Sequence, residues 1–200
     1  MSEPWRLNVL ERNGLSLIPD DLRYFGDHFI GEPMSATWEG PPGFTISRKS
    51  GKLNDFLVFH TAVPVVSGRV LTVLRSLSKD NFEAFDLISI RNRPYFAINV
   101  IAVADCVDFI ESDIRFYGTP NYGIPRRIVI RQNAELPRGI FKMNRIPGYV
   151  FVSDDLAEKI SLEGFTGFCL TKPSTDVLSM ALRGEMIDEY SVVNAEAGKG

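Results

Sequence analysis

A run of β-branched residues that passes through a serine into an amphipathic stretch occurs twice in the 200-residue chain. The first copy, "VPVVSGRVLTVLRSL", begins at Val63, and the second, "YVFVSDDLAEKISL", begins at Tyr149. β-Branched runs favour strands, and apolar residues spaced three and four apart favour a helix with one buried face. Two such strand–helix units predict helices that pack on a sheet, which is an α+β architecture.

The serine in each unit, Ser67 or Ser153, is expected to cap its helix. A serine hydroxyl can accept a hydrogen bond from an amide of the first helical turn. The helical spacing predicts that the following side chains are buried on the sheet: Val70, Val73, Leu74, Leu156 and Ile160. Because any strand followed by a capped helix would match in this way, we interpret the similarity of the two units as convergence and not as a duplication.

The remaining pattern predicts a mixed, mostly antiparallel sheet with a few packed helices. Residues 83–90 and 95–101 are predicted as two strands joined by a short polar loop, and "RRIVIR" at 126–131 as a further strand. Residues 1–50 are irregular and predict edge strands and wrapping loops. We expect one domain over residues 1–190, with its core at 55–180, and a flexible tail at 191–200.

Composition argues against several kinds of partner and location. The net charge is −3, whereas proteins that bind nucleic acid or membrane surfaces usually carry a basic excess. No run approaches the ~18 apolar residues of a membrane span, and the N-terminal residues include no apolar segment of signal-peptide length. Cys106 and Cys169 lie in apolar runs, which predicts two buried thiols, although a disulfide between them stays open. The expected location is the cytoplasm, where thiols stay reduced.

The motifs that mark many enzymes and cofactor sites do not occur in this sequence. Phosphate-binding glycine loops, the G-x-S-x-G turn, H-E-x-x-H and paired C-x-x-C are all missing. The histidines, His28 and His60, have no ligand-like spacing, and His60 follows the apolar "FLVF", which favours a packed or rim position over a catalytic base. We therefore expect no enzymatic activity, no cofactor and no metal. A triad assembled from distant residues stays open, since triads are defined by geometry.

Four carboxylates fall within nine residues of the chain. They are Asp105, Asp108, Glu111 and Asp113. Their spacing lacks the alternation and the turn glycine of an EF-hand loop, so a solvated acidic loop is favoured over a metal site. Such a loop can meet a basic partner surface through charge complementarity, which raises association rate and specificity.

Aromatic residues and arginine follow this cluster in the turn-rich sequence "YGTPNYGIPRR". Tyr117, Tyr122 and Arg126 are the side-chain types enriched at the centres of protein interfaces. We therefore expect them to bind a protein partner together with the four carboxylates. Packing of the aromatic rings onto the sheet is the alternative.

Over residues 5–170, three stretches carry a resemblance to a known family: "GKLNDFLVFHTAVPVVSGRVLTVL", "YFAINVIAVADCVDFIESD" and "GIFKMNRIPGYVFVSDDLAEKISLEGFTGFCL". With Asp55-Phe56 ahead of the first serine unit, and Asn99, Asp105, Asp108 and Ser112 in the second stretch, the chain resembles a family of bacterial immunity proteins from polymorphic toxin systems. That family was formerly catalogued as a domain of unknown function and takes its name from a myxobacterial immunity protein.

The resemblance implies a protein that binds and neutralises a cognate toxin domain encoded by the same bacterium. It implies no enzymatic activity and carries over no catalytic residues. Two other functions stay open at this point. One is a small-ligand-binding protein or enzyme with a pocket near His60 and the acidic cluster, and the other is a module that assembles with itself.

Overall fold

Strands make up most of the regular structure in the computed structural model of the chain. The structure describes residues 3–9, 14–21, 24, 27–40, 43–47, 51–60, 62–116 and 123–174. The strands are β1 (Trp5–Val9), β2 (Ser16–Pro19), β3 (Phe44–Ser47), β4 (Phe56–His60), β5 (Val63–Ser67), β6 (Phe82–Ile90), β7 (Arg93–Val100), β8 (Val103–Ala104), β9 (Asp113–Phe116), β10 (Gly123–Arg127), β11 (Ile140–Met143), β12 (Val150–Val152) and β13 (Phe168–Thr171). Two helices and a 3-10 turn lie wholly within these ranges, α1 (Gly68–Ser78), the turn (Lys79–Asn81) and α2 (Asp154–Leu162), and Tyr24, Asp27 and His28 are also helical.

The strands form two large sheets and one two-stranded ribbon. The six-stranded sheet has the order β3-β2-β4-β5-β7-β6, and the five-stranded sheet has the order β13-β1-β12-β11-β8. β9 and β10 pair with each other in the ribbon. Among the strands described, the β2–β4 and β8–β11 pairs are parallel and the other pairs are antiparallel. The fold is therefore broadly α+β, with a mixed, mostly antiparallel arrangement and more strand than helix.

Both predicted helices form, and each buries the predicted face. Val70, Val73 and Leu74 on α1 join Leu156 and Ile160 on α2 in one buried cluster, the central core. Strands of both large sheets also contribute side chains to this core. Adjacent residues of a strand point to opposite faces, so Val66 enters the central core while Val65 enters a second core. That second core also contains Leu17, Phe29 and Tyr95. Because β5 is buried on both faces, its sequence is a continuous apolar run and does not alternate between apolar and polar residues.

The edge strands expected in the N-terminal fifty residues are found in part. β3 is an edge strand of the six-stranded sheet, whereas β2 lies between β3 and β4, and β1 lies between β12 and β13. In β1, Asn8 donates to Thr171 Oγ1 at 3.0 Å, and the Arg6 guanidinium lies 4.1 Å from the Tyr149 ring centroid. Neighbouring residues therefore accommodate the polar side chains of an interior strand.

Two local predictions in the middle of the chain also need correction. The hairpin turn is shorter than the predicted four-residue loop, because β6 ends at Ile90 and β7 begins at Arg93. Arg91 and Asn92 both have positive φ, 51° and 63°, as two-residue hairpin turns require. The strand predicted at 126–131 stops at Arg127, after which Ile130 forms only an isolated bridge with Val107.

Neither serine caps its helix as predicted, although both occupy the N-cap position. The Ser67 hydroxyl instead donates to Asp55 Oδ1 at 2.9 Å, and the Ser153 hydroxyl accepts from the Gly139 amide at 2.7 Å. Asp55 is buried, forms an ion pair with Arg93 and accepts from the Thr166 amide at 3.2 Å. The first serine thus helps to satisfy a buried carboxylate that ties the two sheets together.

Candidate functional site

We call residues 105–113, which hold the four clustered carboxylates, the acidic turn. Asp108 shapes this turn, since its Oδ1 accepts the amides of Ile110 at 3.0 Å and Glu111 at 3.1 Å. The Ser112 amide donates to the Asp108 carbonyl at 3.0 Å, which closes the turn. The Asp108 carboxylate is therefore used within the turn itself, because an aspartate side chain readily bonds to backbone amides two or three residues later.

The acidic turn is fastened to the rest of the molecule on two sides. The Val129 amide donates to Ser112 Oγ at 2.8 Å, and the Asp108 amide donates to the Val129 carbonyl at 2.9 Å. On the other side, the Arg145 guanidinium lies 4.5 Å from the ring centroid of Phe109 and 4.6 Å from that of Phe116. These contacts hold the turn in one shape and place its tip in solvent.

Ile110 occupies the tip of the acidic turn with 93% of its surface exposed. The flanking Glu111 and the nearby Asp113 are exposed, and in the part of the chain that the structure describes their carboxylates have no hydrogen-bond or ion-pair partner. A single exposed isoleucine is ordinary on a protein surface, but one at the tip of a fixed turn can be buried by a partner. The sequence analysis missed Ile110, because the period of neither a strand nor a helix marks the tip of a turn.

Three arginines lie beside the carboxylates of the acidic turn, so this surface is not purely acidic. Arg131 forms an ion pair with Asp105 at 3.1 Å and also donates to the Asp105 carbonyl oxygen. The Arg127 guanidinium donates to the Glu111 carbonyl at 2.7 Å, and Arg126 is exposed on the ribbon. Tyr117 and Tyr122 lie outside the described residues. The structure therefore brings five of the seven predicted residues to the turn and the adjoining ribbon.

No cluster of three or more His, Cys, Asp or Glu side chains in the described ranges is arranged to hold a metal ion. Both cysteines are buried thiols, as predicted, and no disulfide joins them. Burial raises the pKa of Cys106 to about 11. A thiol with so high a pKa is almost entirely protonated near neutral pH and is a weak nucleophile.

A cavity of about 190 Å³ lies beside β4, the strand that ends at His60. Its lining comes from β1, β4, β5 and the start of β12, and includes Arg6, Asn8 and Tyr149. None of the four carboxylates of the acidic turn is among the described residues that line it. A pocket near His60 is thus present, but it is separate from the acidic turn that the sequence analysis had joined to it.

A buried lysine lies outside both the acidic turn and the lining of the cavity beside β4. Lys142 on β11 is fully buried, and its ammonium donates to the Phe29 carbonyl. Burial lowers the pKa of Lys142 to about 7, since a charged amine is poorly solvated there. Glu83 and Asn99 hold the same segment, because Glu83 accepts the Met34 amide at 2.6 Å and Asn99 donates to the Glu32 carbonyl at 2.8 Å. The sequence analysis singled out neither Lys142 nor Glu83, and it named Asn99 only among the residues that carry the family resemblance.

These polar contacts secure residues 29–35 across the two sheets. Burial alone would raise the pKa of Glu83, but hydrogen bonds from Met34, Asn99 and Ser35 outweigh it and lower that pKa. The segment therefore rests on side chains that reach backbone groups from β6, β7 and β11. Such contacts position a loop and offer no obvious chemistry.

The model of an immunity protein family (Imm11) matches residues 8–175, which is most of the chain. No curated protein matches the sequence. None of the described helices is long and apolar enough to cross a membrane.

Proposed function

Since the chain belongs to the immunity protein family (Imm11) over residues 8–175, we propose that it binds and neutralises a cognate toxin domain encoded by the same bacterium. Family membership is the observation that carries this proposal. The protein acts by stoichiometric binding rather than by catalysis, and it does so in the cytoplasm, where the toxin would otherwise act. The free thiols accord with a reducing compartment.

The proposed toxin-binding surface is the acidic turn with the adjoining ribbon. Its members are Asp105, Asp108, Glu111, Asp113, Tyr117, Tyr122 and Arg126, to which we add Ile110. The support is the 93% exposure of Ile110 on a turn that is held in place, next to Glu111 and Asp113, whose carboxylates have no partner among the described residues. Burying an isoleucine contributes roughly 1.5–3 kcal/mol, which is the size of an interface hot spot.

The charges of this surface suggest how it would choose its partner. Glu111 and Asp113 are exposed and unpaired among the described residues, whereas Asp105 is neutralised by Arg131. Toxins that act on nucleic acids tend to be basic, because their substrates are polyanions. We propose that Glu111 and Asp113 steer such a basic surface, while Ile110 supplies the apolar anchor that charges lack.

The test is co-expression of the chain with the toxin encoded beside it, followed by measurement of cell survival and of affinity. Ile110→Asp should abolish protection or weaken binding by about thirtyfold or more, since a hot spot is worth at least about 2 kcal/mol. Leu162→Asp is the matched control, because Leu162 is 77% exposed on α2 and lies outside the proposed surface. It should protect as the wild type does.

Two double variants examine the rest of the surface. Glu111→Lys/Asp113→Lys should slow association at low salt, and Tyr117→Ala/Tyr122→Ala should speed dissociation. Full protection by all of the folded variants would place the interface elsewhere. A wild type that neither binds nor protects would remove the immunity function itself.

A further inference from the structure

The cavity beside β4 lies between the two sheets, and Arg6 is the one cationic side chain among its described lining residues. Its described walls are mostly apolar and include Val58, Phe59 and Pro64. A volume of about 190 Å³ corresponds to roughly six water molecules at about 30 Å³ each. It is therefore large enough for a small organic molecule, but too small to hold a folded partner.

Arg6 lines this cavity and carries the charge among the lining residues that the structure describes. Its Nε is buried and has no hydrogen-bond partner, and its guanidinium lies 4.1 Å from the Tyr149 ring centroid. No carboxylate pairs with it among the described residues. A guanidinium stays protonated in proteins and offers five N–H donors in a planar fork. Arg6 therefore brings a positive charge to the cavity, whereas its Nε has almost no accessible surface and does not face the cavity.

Some other described arginines have an acid as partner. The partly buried Arg93 pairs with Asp55, and the exposed Arg131 and Arg138 pair with Asp105 and Asp155. Removing a cation from water is costly unless an anion and hydrogen bonds compensate it. The stacking on Tyr149 offsets only part of that cost, because cation–π contacts are individually modest. An anion bound in the cavity would supply the remainder.

We propose that this cavity binds a free monocarboxylate with a short apolar chain. The carboxylate accepts hydrogen bonds from the Arg6 guanidinium, and the chain lies against Val58, Phe59 and Pro64. A single positive charge matches a single negative charge, whereas a phosphate would bring more charge than the site can balance. The Asn8 amide already donates to Thr171 Oγ1, so we assign Asn8 to the wall of the site and not to the hydrogen bonding of the carboxylate.

This site is independent of the acidic turn and of toxin binding. None of the described lining residues belongs to the acidic turn, and the ligand is a small molecule rather than a protein. Because the lining combines β1 and β12 of one sheet with β4 and β5 of the other, a bound carboxylate would link the two sheets. Binding to the folded state alone would raise the thermal stability of the whole chain.

The experiment titrates hexanoate into the full-length protein and follows the melting temperature and the ¹⁵N shift of the Arg6 Nε–H. We expect a saturable rise in melting temperature at millimolar hexanoate and a shift of the Arg6 resonance along the same binding curve. Hexan-1-ol has the same chain without the charge, and inorganic phosphate has charge without the chain. Both should bind at least about tenfold more weakly, because each makes only part of the contacts.

Two variants connect the effect to the cavity. Arg6→Met should abolish hexanoate binding, while Arg6→Lys should weaken it, since lysine keeps the charge but loses the planar fork. If Arg6→Met does not fold, Val58→Phe fills the cavity while leaving Arg6 in place and should also abolish binding. Absence of saturable binding to the wild type, or equal binding by wild type and these variants, would overturn the proposal. Preference for phosphate would overturn the assignment of a carboxylate.

Discussion

Replacing Lys142 by methionine should make the protein more stable at low pH and remove part of its pH dependence. The Lys142 side chain is fully buried, its ammonium donates to the Phe29 carbonyl, and burial lowers its pKa to about 7. An unfolded lysine has a pKa near 10.4. Below pH 7 the amine is charged in both states, so the folded protein carries the full penalty of burying that charge.

The direction of the effect follows from proton counting. Between about pH 7 and pH 10.4 the unfolded chain binds a proton that the folded chain lacks, so stability rises with pH over this window. The slope approaches about 1.4 kcal/mol per pH unit, which gives roughly 3 kcal/mol between pH 6 and pH 9. Stability from this group is therefore greatest at high pH and is lost as the pH falls through 7.

The measurement is urea unfolding of the wild type and Lys142→Met at pH 6 and pH 9. Methionine fills similar volume without charge, but it removes the hydrogen bond to the Phe29 carbonyl, which costs about 1–3 kcal/mol. At pH 6 the variant should still be more stable by roughly 2–4 kcal/mol, because it avoids a charging penalty of about 5 kcal/mol. At pH 9 the advantage should largely disappear.

Lys79→Met is the matched control, because Lys79 is exposed and its replacement removes the same charge without changing the core. It should leave the pH dependence of the wild type unchanged. Other groups that titrate between pH 6 and pH 9 are common to all three proteins and cancel in the comparison. An equal pH slope for wild type and Lys142→Met, or a variant less stable than wild type at pH 6, would refute the reasoning.

Three further expectations concern other buried groups. Asp55→Asn should lower the free energy of unfolding by roughly 3–5 kcal/mol, as for a broken buried ion pair, and a loss below about 1 kcal/mol in urea unfolding would contradict this. Gly167→Ala should destabilise the protein by about 2 kcal/mol or more beyond Gly164→Ala. Both glycines have positive φ, but only at Gly167 would a new Cβ overlap the Phe56 carbonyl and lie 2.6 Å from Asn54 Cβ. Equal melting temperatures for these variants would count against the close packing. Neither cysteine should react with a thiol reagent at pH 8 until the protein is denatured, since both are buried and the pKa of Cys106 is about 11.

Some predictions from the sequence were confirmed because they depend on neighbours along the chain. The apolar spacing behind Ser67 and Ser153 identified both helices and the faces that they bury. The paired runs at 83–101 identified the hairpin, and apolar surroundings identified the buried thiols. Periodicity is a local property, so a single chain displays it without any knowledge of its partners.

What the tertiary structure alone decided rests on contacts between distant residues. Asp55 and Thr166, 111 positions apart, turned the Ser67 hydroxyl away from its helix, and pairing with β12 and β13 placed β1 inside a sheet. The exposure of Ile110 and the burial of Lys142 likewise follow from how the sheets and turns assemble. Local sequence sets which residues can form a helix or strand, but the burial and hydrogen-bond partners of one side chain depend on residues that only folding brings together.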